Sequence, residues 1–361
     1  MTWQAEARAL FPHLDECLYL NTAAVGLGWT GQGAVAAEFQ DRLMRIGYDA
    51  RDRWHQRSAD TREAVARLVG VPSAQVFFDA NTTEAMNRIS AGLPWQVGDR
   101  VVVAADEFPS VRLAWTSAVR AGAEVIEVPV PDEAGREARL IAALEPRVRV
   151  LAVSHVHWAT GTRVDLERLG AACRANDTLL VVDGVQALGA VPVDARHADA
   201  YCAATFKWLL SGFGLAVMVV GERLQQRLEP ASRGYLNPPP SRSIQAAHWN
   251  HPGLHLLGAT LRLLEGFGWG RIHAEVETLS GLVHRAVADA GFEVLTPPGA
   301  RAGIVSVRVG SPEAVAAVLA QRGIRLEPRG VCIRASTHFY NTPEEVERFA
   351  AALRDVARPG G

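Results

Sequence analysis

What the chain lacks narrows it first. It has only four cysteines, Cys17, Cys173, Cys202 and Cys332, and they are widely spaced. No CxxC occurs, and no cysteine–histidine set has zinc spacing. Such cysteines suit small buried hydrophobes in a reducing compartment, so a cytoplasmic location is expected. Long apolar runs are missing too. The longest, such as 179–182 and 215–220, are strand-sized, far short of the roughly 20 residues of a membrane helix. The opening MTWQAEARALFPHLDE carries acids early and has no basic stretch leading into an apolar one, so no signal peptide is expected. Net charge is −2 without a basic block, which speaks against nucleic acid as a partner. No GxGxxG turn closes a β-rich run (GLGWTG at 26–31 follows NTAAV), and GxxxxGK[ST] does not occur, which speaks against the common nucleotide-binding turns. The eleven histidines avoid HExxH spacing. Strand alternation would put His155 and His157 on one face, yet no third ligand accompanies them, and no metal is expected.

What is present reads as an α/β protein. The 361 residues are 48% hydrophobic, enough for a large core and about two domains. Short β-rich runs end in polar or glycine-containing turns: RVVVAADEFPS (100–110), VRVLAVSHVHWATG (148–161) and LLVVDGVQALG (179–189). Helix-patterned stretches at 82–92, 111–121, 136–145 and 165–175 alternate with them. Apolar strands alternating with helices predict a mostly parallel sheet covered on both faces. Functional groups in such sheets gather at the carboxyl ends of strands, which directs attention to 106–110, 154–161 and 183–186. LNPPPSRS (236–243) reads as a linker or surface loop. A long helical stretch follows at 255–291. Then comes a compact α+β unit: strands at 303–310 and 330–336, a helix at 312–323, and a helix at 341–356 capped by Asn341 or Thr342. The expected division is an N-terminal arm (1–17) packing near the small domain, a large domain (18–240), and a connecting helix with the small C-terminal domain (241–361).

Several residues could carry chemistry. Asp183 follows an apolar strand, where a carboxylate is costly unless a cation pairs with it. A protonated pyridine nitrogen is one such partner; a turn cap is the plainer reading. Lys207, in YCAATFKWLLSG, stands out in a chain whose other cations are arginine-biased. Burial would lower its pKa and free the amine for a carbonyl, although a snorkelling lysine has the same look. NTTEAMNRI (81–89) is a helix start whose free N–H groups, with Thr82 and Thr83, suit a phosphate. Phe108 in DEFPS could stack on a planar ring. Arg334, inside a strand run, must find an anion, and a substrate carboxylate would match its fork.

Taken in order, these segments resemble the class V aminotransferase family of fold type I pyridoxal-5′-phosphate (PLP) enzymes. That group includes cysteine desulfurases, kynureninases, isopenicillin-N-epimerase-like proteins and C–S lyases. The resemblance runs through YLNTAAVGL (18–26), NTTEAMN (81–87), DEFPS (106–110), SHVHWATGT (154–162), VDGVQALGAVPVD (182–194), ADAYCAATFKWLL (198–210), PGLHLLGA (252–259) and RASTHFYNT (334–342). It implies that Lys207 holds PLP as a Schiff base, that Asp183 meets the pyridine nitrogen and that Gln186 meets the phenolic oxygen. It implies phosphate contacts from Thr82, Thr83 and Thr205, and ring stacking by Phe108. Arg334 is expected on the substrate carboxylate, with Trp158 and Asn21 beside it. Asn250 falls where relatives reach a phosphate across a dimer interface, and Tyr235 where kynureninase-like members place a tryptophan. A homodimer follows from that expectation.

Departures from the pattern matter as much. Trp158 stands where desulfurases have asparagine, and Phe206 where they have histidine. The loop that carries their nucleophilic cysteine shrinks here to GIRLEPRGVCIR (323–334), with Cys332 inside the strand. The expectation is a PLP-dependent lyase of C–S or related β-type, or an aminotransferase, acting on a small amino acid. A racemase or epimerase is the alternative, with His155 or His157 as the second acid. A non-catalytic PLP-fold protein would have lost the lysine, the aspartate or the arginine, and all three are present.

Overall fold

The computed structural model describes residues 3–357; the first two residues of the N-terminal arm and 358–361 lie outside the described residues. Seven strands form the main sheet. Their order is Val76–Asp79, Ala216–Val220, Ala200–Ala204, Leu179–Asp183, Val148–Ser154, Arg100–Ala104 and Glu124–Val128. Six are parallel, and Ala216–Val220 runs against both its neighbours. The central strands are buried on both faces, which is why they read as continuous apolar runs. Alternate residues split between two cores. Leu180, Val182, Tyr201 and Val217 feed one; Leu179, Val181, Cys202 and Met218 feed the other. The first core lies under helices Arg51–Val69 and His251–Phe267, and the second under Thr82–Gly92.

A three-stranded antiparallel sheet lies further along the chain, ordered Glu327–Arg329, Cys332–Ser336, Ile304–Arg308. The expected single strand at 330–336 is therefore the second arm of a hairpin turning at Gly330, whose φ is +58°. The long helical stretch is two helices, His251–Phe267 and Trp269–Asp289, broken at Gly268 with φ +89°. The 111–121 stretch is likewise split into Pro109–Leu113 and Thr116–Arg120. The last helix, Pro343–Val356, starts from a Thr342–Glu345 capping box. Near the N-terminus, helix Trp3–Arg8 leads into Phe11 and Leu14, which pack on Phe339 and Tyr340, and Arg8 pairs with Glu345 at 2.8 Å. Residues 229–250 form neither helix nor strand. Asn237 pins them from inside, fully buried and donating to the Ser232 and Ser243 carbonyls. Among the described residues, no helix is long and apolar enough to cross a membrane.

Candidate active site

The parallel topology brings strand ends together. Ser154 and Asp183 are register partners at the carboxyl ends of adjacent strands. The next strand, Ala200–Ala204, runs straight into the loop that carries Lys207. A cavity of about 170 Å³ opens above these ends. Asp183, Gln186 and Lys207 line it from the sheet side, Thr82 and Thr83 from the helix Thr82–Gly92, and Phe108 and Trp158 from the mouth. Lys207 is the only lysine in the sequence. The backbone of its loop is gripped from the N-terminal side. Gly26 donates to the Phe206 carbonyl, and a Cβ at Gly26 would come within 2.0 Å of the Lys207 carbonyl oxygen.

The electrostatics favour a reactive amine. Burial, then the Arg334 guanidinium, holds the Lys207 ammonium below the usual lysine range, with Asp183 opposing. Asp183 is pushed the other way, mostly by burial and with help from Glu107. Its Oδ1 accepts the Val185 N–H at 2.8 Å. Gln186 is held rigidly: its Nε2 donates to the Ala23 carbonyl at 3.0 Å and its Oε1 accepts from Trp208 at 2.8 Å. One of its two amide N–H groups is left for the cavity. Thr82 Oγ1 is buried without a partner at the helix start. Thr83 shares a 2.7 Å hydrogen bond with Ser110. Phe108 meets Trp158 edge to face, with centroids 5.7 Å apart.

Arg334 lies just behind Trp158 and donates from Nη1 to its carbonyl at 2.7 Å. Its Nε and Nη2 are buried without partners. Asn21 donates to Glu327 at 3.2 Å, and its Oδ1 is also an orphan. Glu327 is the register partner of Arg334, so Asn21 and Arg334 flank one face of the hairpin. The residues present fit the expected cofactor. A hydroxyl with no partner sits at a helix N-terminus, where a phosphate is welcome. A carboxylate stands at a strand end, an amine opposes it, and an aromatic ring covers the mouth.

Five expected positions do not line this cavity: Arg334 and Asn21, which lie behind Trp158 and beside the hairpin, and Thr205, Tyr235 and Asn250. Thr205 is fully buried, and its hydroxyl faces the Gly212 and Leu215 carbonyls, both at 3.1 Å. Its proton closes the lysine loop and is not available to a phosphate. Tyr235 is exposed, with its hydroxyl accepting the His248 N–H. Asn250 caps helix His251–Phe267 and donates to the Gly214 carbonyl. The second-acid expectation also changes. The strand ends at Ser154, so alternation does not carry on to His157. His155 is buried against Tyr201 at 3.2 Å, with a pKa lowered to about 3 by burial. His157 has both nitrogens engaged, with Thr160 Oγ1 and the Asp106 carbonyl. Neither lines the cavity.

Other residues at the site carried no signal in the sequence. Glu107 is buried and accepts from the Ser154 N–H at 2.8 Å and the Ser154 hydroxyl at 2.5 Å. Arg136 is buried between Asp106 and Glu133, in front of His157. Only the carboxylate-rich DEFPS turn hinted at Glu107.

Comparison with known proteins places the chain in a family. The family model for class-V aminotransferases matches residues 39–349. A probable cysteine desulfurase of Methanothermobacter thermautotrophicus is 27% identical, covering 90% of this chain and 89% of the relative. An isopenicillin N epimerase of Streptomyces clavuligerus is 29% identical over 81% and 82% of the two chains. Among solved structures, a variant of C-DES with glycine covalently linked to its PLP cofactor superimposes with a TM-score of 0.88. It shares 24% identity, with 97% and 99% of the chains covered. The expected architecture, a fold type I α/β arrangement with a mostly parallel central sheet, therefore stands.

Proposed function

Because the chain belongs to the class-V aminotransferase family, we propose that the cavity above Lys207 takes pyridoxal 5′-phosphate and that the protein transforms a small α-amino acid there. One observation carries this reading: the sole lysine is half-buried, has a depressed pKa, and shares a cavity with the strand-end carboxylate of Asp183. When bound, the cofactor supplies an electron sink that weakens the bonds at the substrate's Cα. Thr82, Thr83 and the free N–H groups of their helix hold its phosphate. Asp183 keeps the ring nitrogen protonated, Gln186 donates to the phenolic oxygen, and Phe108 covers a ring face. Arg334 would take the substrate carboxylate on its two unpartnered nitrogens, Nε and Nη2. Lys207 Nζ would be placed to take the Cα proton.

The reading favoured at Cβ is loss of a sulfur or related leaving group, with aminotransfer as its companion. Relatives named as cysteine desulfurases support it. The sulfur would leave as a free product. Cys332 is buried, donates to the Arg329 carbonyl, and has its thiol pKa raised by burial, so it is a poor persulfide carrier. Epimerisation has a named relative, but a second acid has to face the substrate. Among the described residues, Asp183 and Lys207 are the only titratable ones lining the cavity. A homodimer in which Tyr235 and Asn250 face the partner's site, and a cytoplasmic location, belong to the same proposal; four buried free cysteines support the latter.

The test is direct. Purified protein given PLP should develop a visible absorption band, and Lys207→Ala should abolish it. Borohydride reduction should then fix the cofactor at Lys207 alone. A colourless wild type that ignores added PLP would end the proposal. Products from an amino-acid panel separate the reactions: a 2-oxo acid with free ammonia for the lyase, a 2-oxo acid without it for the aminotransferase.

A further inference from the structure

Two carboxylates, not one, stand beneath the cavity. Asp183 and Glu107 are 6% and 3% exposed, and no arginine, lysine or histidine forms a salt bridge with either among the described residues. Lys207 is the one cation that acts on Asp183. Glu107 is not a lining residue. It reaches the site through Ser154, whose N–H and hydroxyl it accepts at 2.8 and 2.5 Å, and it also accepts the Phe108 N–H at 3.3 Å. Ser154 is the register partner of Asp183, so Glu107 sits one strand over from the cofactor-facing carboxylate. Buried carboxylates without a cation are costly. A site built this way is short of positive charge until something brings it.

We propose that Glu107 is a positioning residue for the cofactor's protonated ring nitrogen. Its carboxylate, anchored by Ser154, adds a second negative charge behind Asp183, and the same anchor fixes the backbone at Phe108. This rests on the PLP reading above. It predicts two effects of opposite sense. At neutral pH and above, the second charge strengthens the hold on a cationic ring. In acid, the same charge makes Asp183 easier to protonate, because burial and then Glu107 raise its pKa while Lys207 opposes. The other titratable groups beside Asp183 are Tyr201 and Cys202, both with pKa values raised by burial and both neutral in this range. Wild-type affinity for PLP therefore falls as the pH drops through the raised Asp183 pKa. Removing Glu107 weakens binding at neutral pH and moves that acid edge downward. A residue that merely packs would weaken binding at every pH and leave the edge in place.

The experiment measures PLP affinity of the full-length apoprotein, by absorbance titration, from mildly acid to mildly alkaline pH. In Glu107→Gln, affinity above neutral pH should fall several-fold and the acid edge should shift down, each unit of edge corresponding to about tenfold in proton affinity. Glu107→Asp, which keeps the charge, should restore part of both. Ser154→Ala removes the closest donor that anchors the carboxylate, so its charge is held less firmly behind Asp183 and the edge should move the same way by less. It decides the matter if Glu107→Gln does not fold. An edge that stays put or rises in whichever of these two variants folds overturns the proposal while leaving the PLP reading intact. A wild type that binds no PLP overturns both.

Discussion

Two arginines, both almost fully buried, have opposite fates in this molecule. Arg136 is 1% exposed and Arg334 is 2% exposed. Arg136 forks onto Asp106 at 3.0 and 2.5 Å and onto Glu133 at 2.8 and 3.0 Å. Those two acids hold its guanidinium more firmly charged than usual. Arg334 has one carbonyl, two orphan nitrogens and no carboxylate on its guanidinium. Burial, then Arg329, pulls its pKa down to about 10. Burial alone therefore says nothing about role. A buried charge whose partners are all supplied by the protein is part of the framework; one left short of partners is waiting for a ligand.

Substitutions can break this contrast or sharpen it. Arg136→Met should cost most, about 1.5–3 kcal/mol of stability, because it takes the buried shared cation from two half-buried carboxylates. A denaturant melt reads this directly, and an unchanged midpoint would break the comparison. Arg334→Met should do the reverse. Stability should hold or rise, because an unsatisfied charge is removed. Each lost charge-assisted hydrogen bond to substrate is worth about 1.5–3 kcal/mol, so kcat/KM should fall roughly ten- to hundredfold or more. A smaller consequence concerns pH. Burial and Arg334 disfavour the Lys207 ammonium, so the neutral amine prevails at lower pH than for an ordinary lysine. Covalent capture of PLP should rise with pH and level off below the usual lysine range. In Arg334→Met that plateau should move to higher pH, as stopped-flow absorbance would show. Trp158 links the two arginines: its indole donates to the Asp106 carbonyl at 3.1 Å and its own carbonyl accepts from Arg334. Trp158→Phe should cost about 1 kcal/mol and raise KM slightly. Least of all, Cys332→Ala should leave C–S cleavage unaltered in a product assay; a large loss would restore the persulfide route.

The parts of the site that lie on one strand end or helix start are legible in the amino-acid sequence. Asp183 closes an apolar run, Thr82 opens a capped helix, and Lys207 is an unusual residue in an unusual place. Contacts between segments distant in sequence are not legible there. Glu107 means little until Ser154 arrives from another strand. Arg136 reads as a surface helix residue until Asp106 closes on it. Alternation misleads at His155 and His157 because it holds only while a strand lasts, and this one stops at Ser154. The helix expected at 255–291 is overextended because apolar periodicity runs on through the glycine cluster Gly266, Gly268 and Gly270, and it is at Gly268 that the backbone turns positive.

The order in which the chain is made gives the hairpin at Gly330 one more meaning. The main sheet is complete once Ala216–Val220 has left the ribosome, whereas Arg334 emerges much later. Domains fold as units, N-terminal part first, during synthesis. The lysine can thus be seated beside its carboxylates before Arg334, the proposed partner of the substrate carboxylate, exists. On the proposed reading, the residue that takes the cofactor is in place before the one that chooses the substrate.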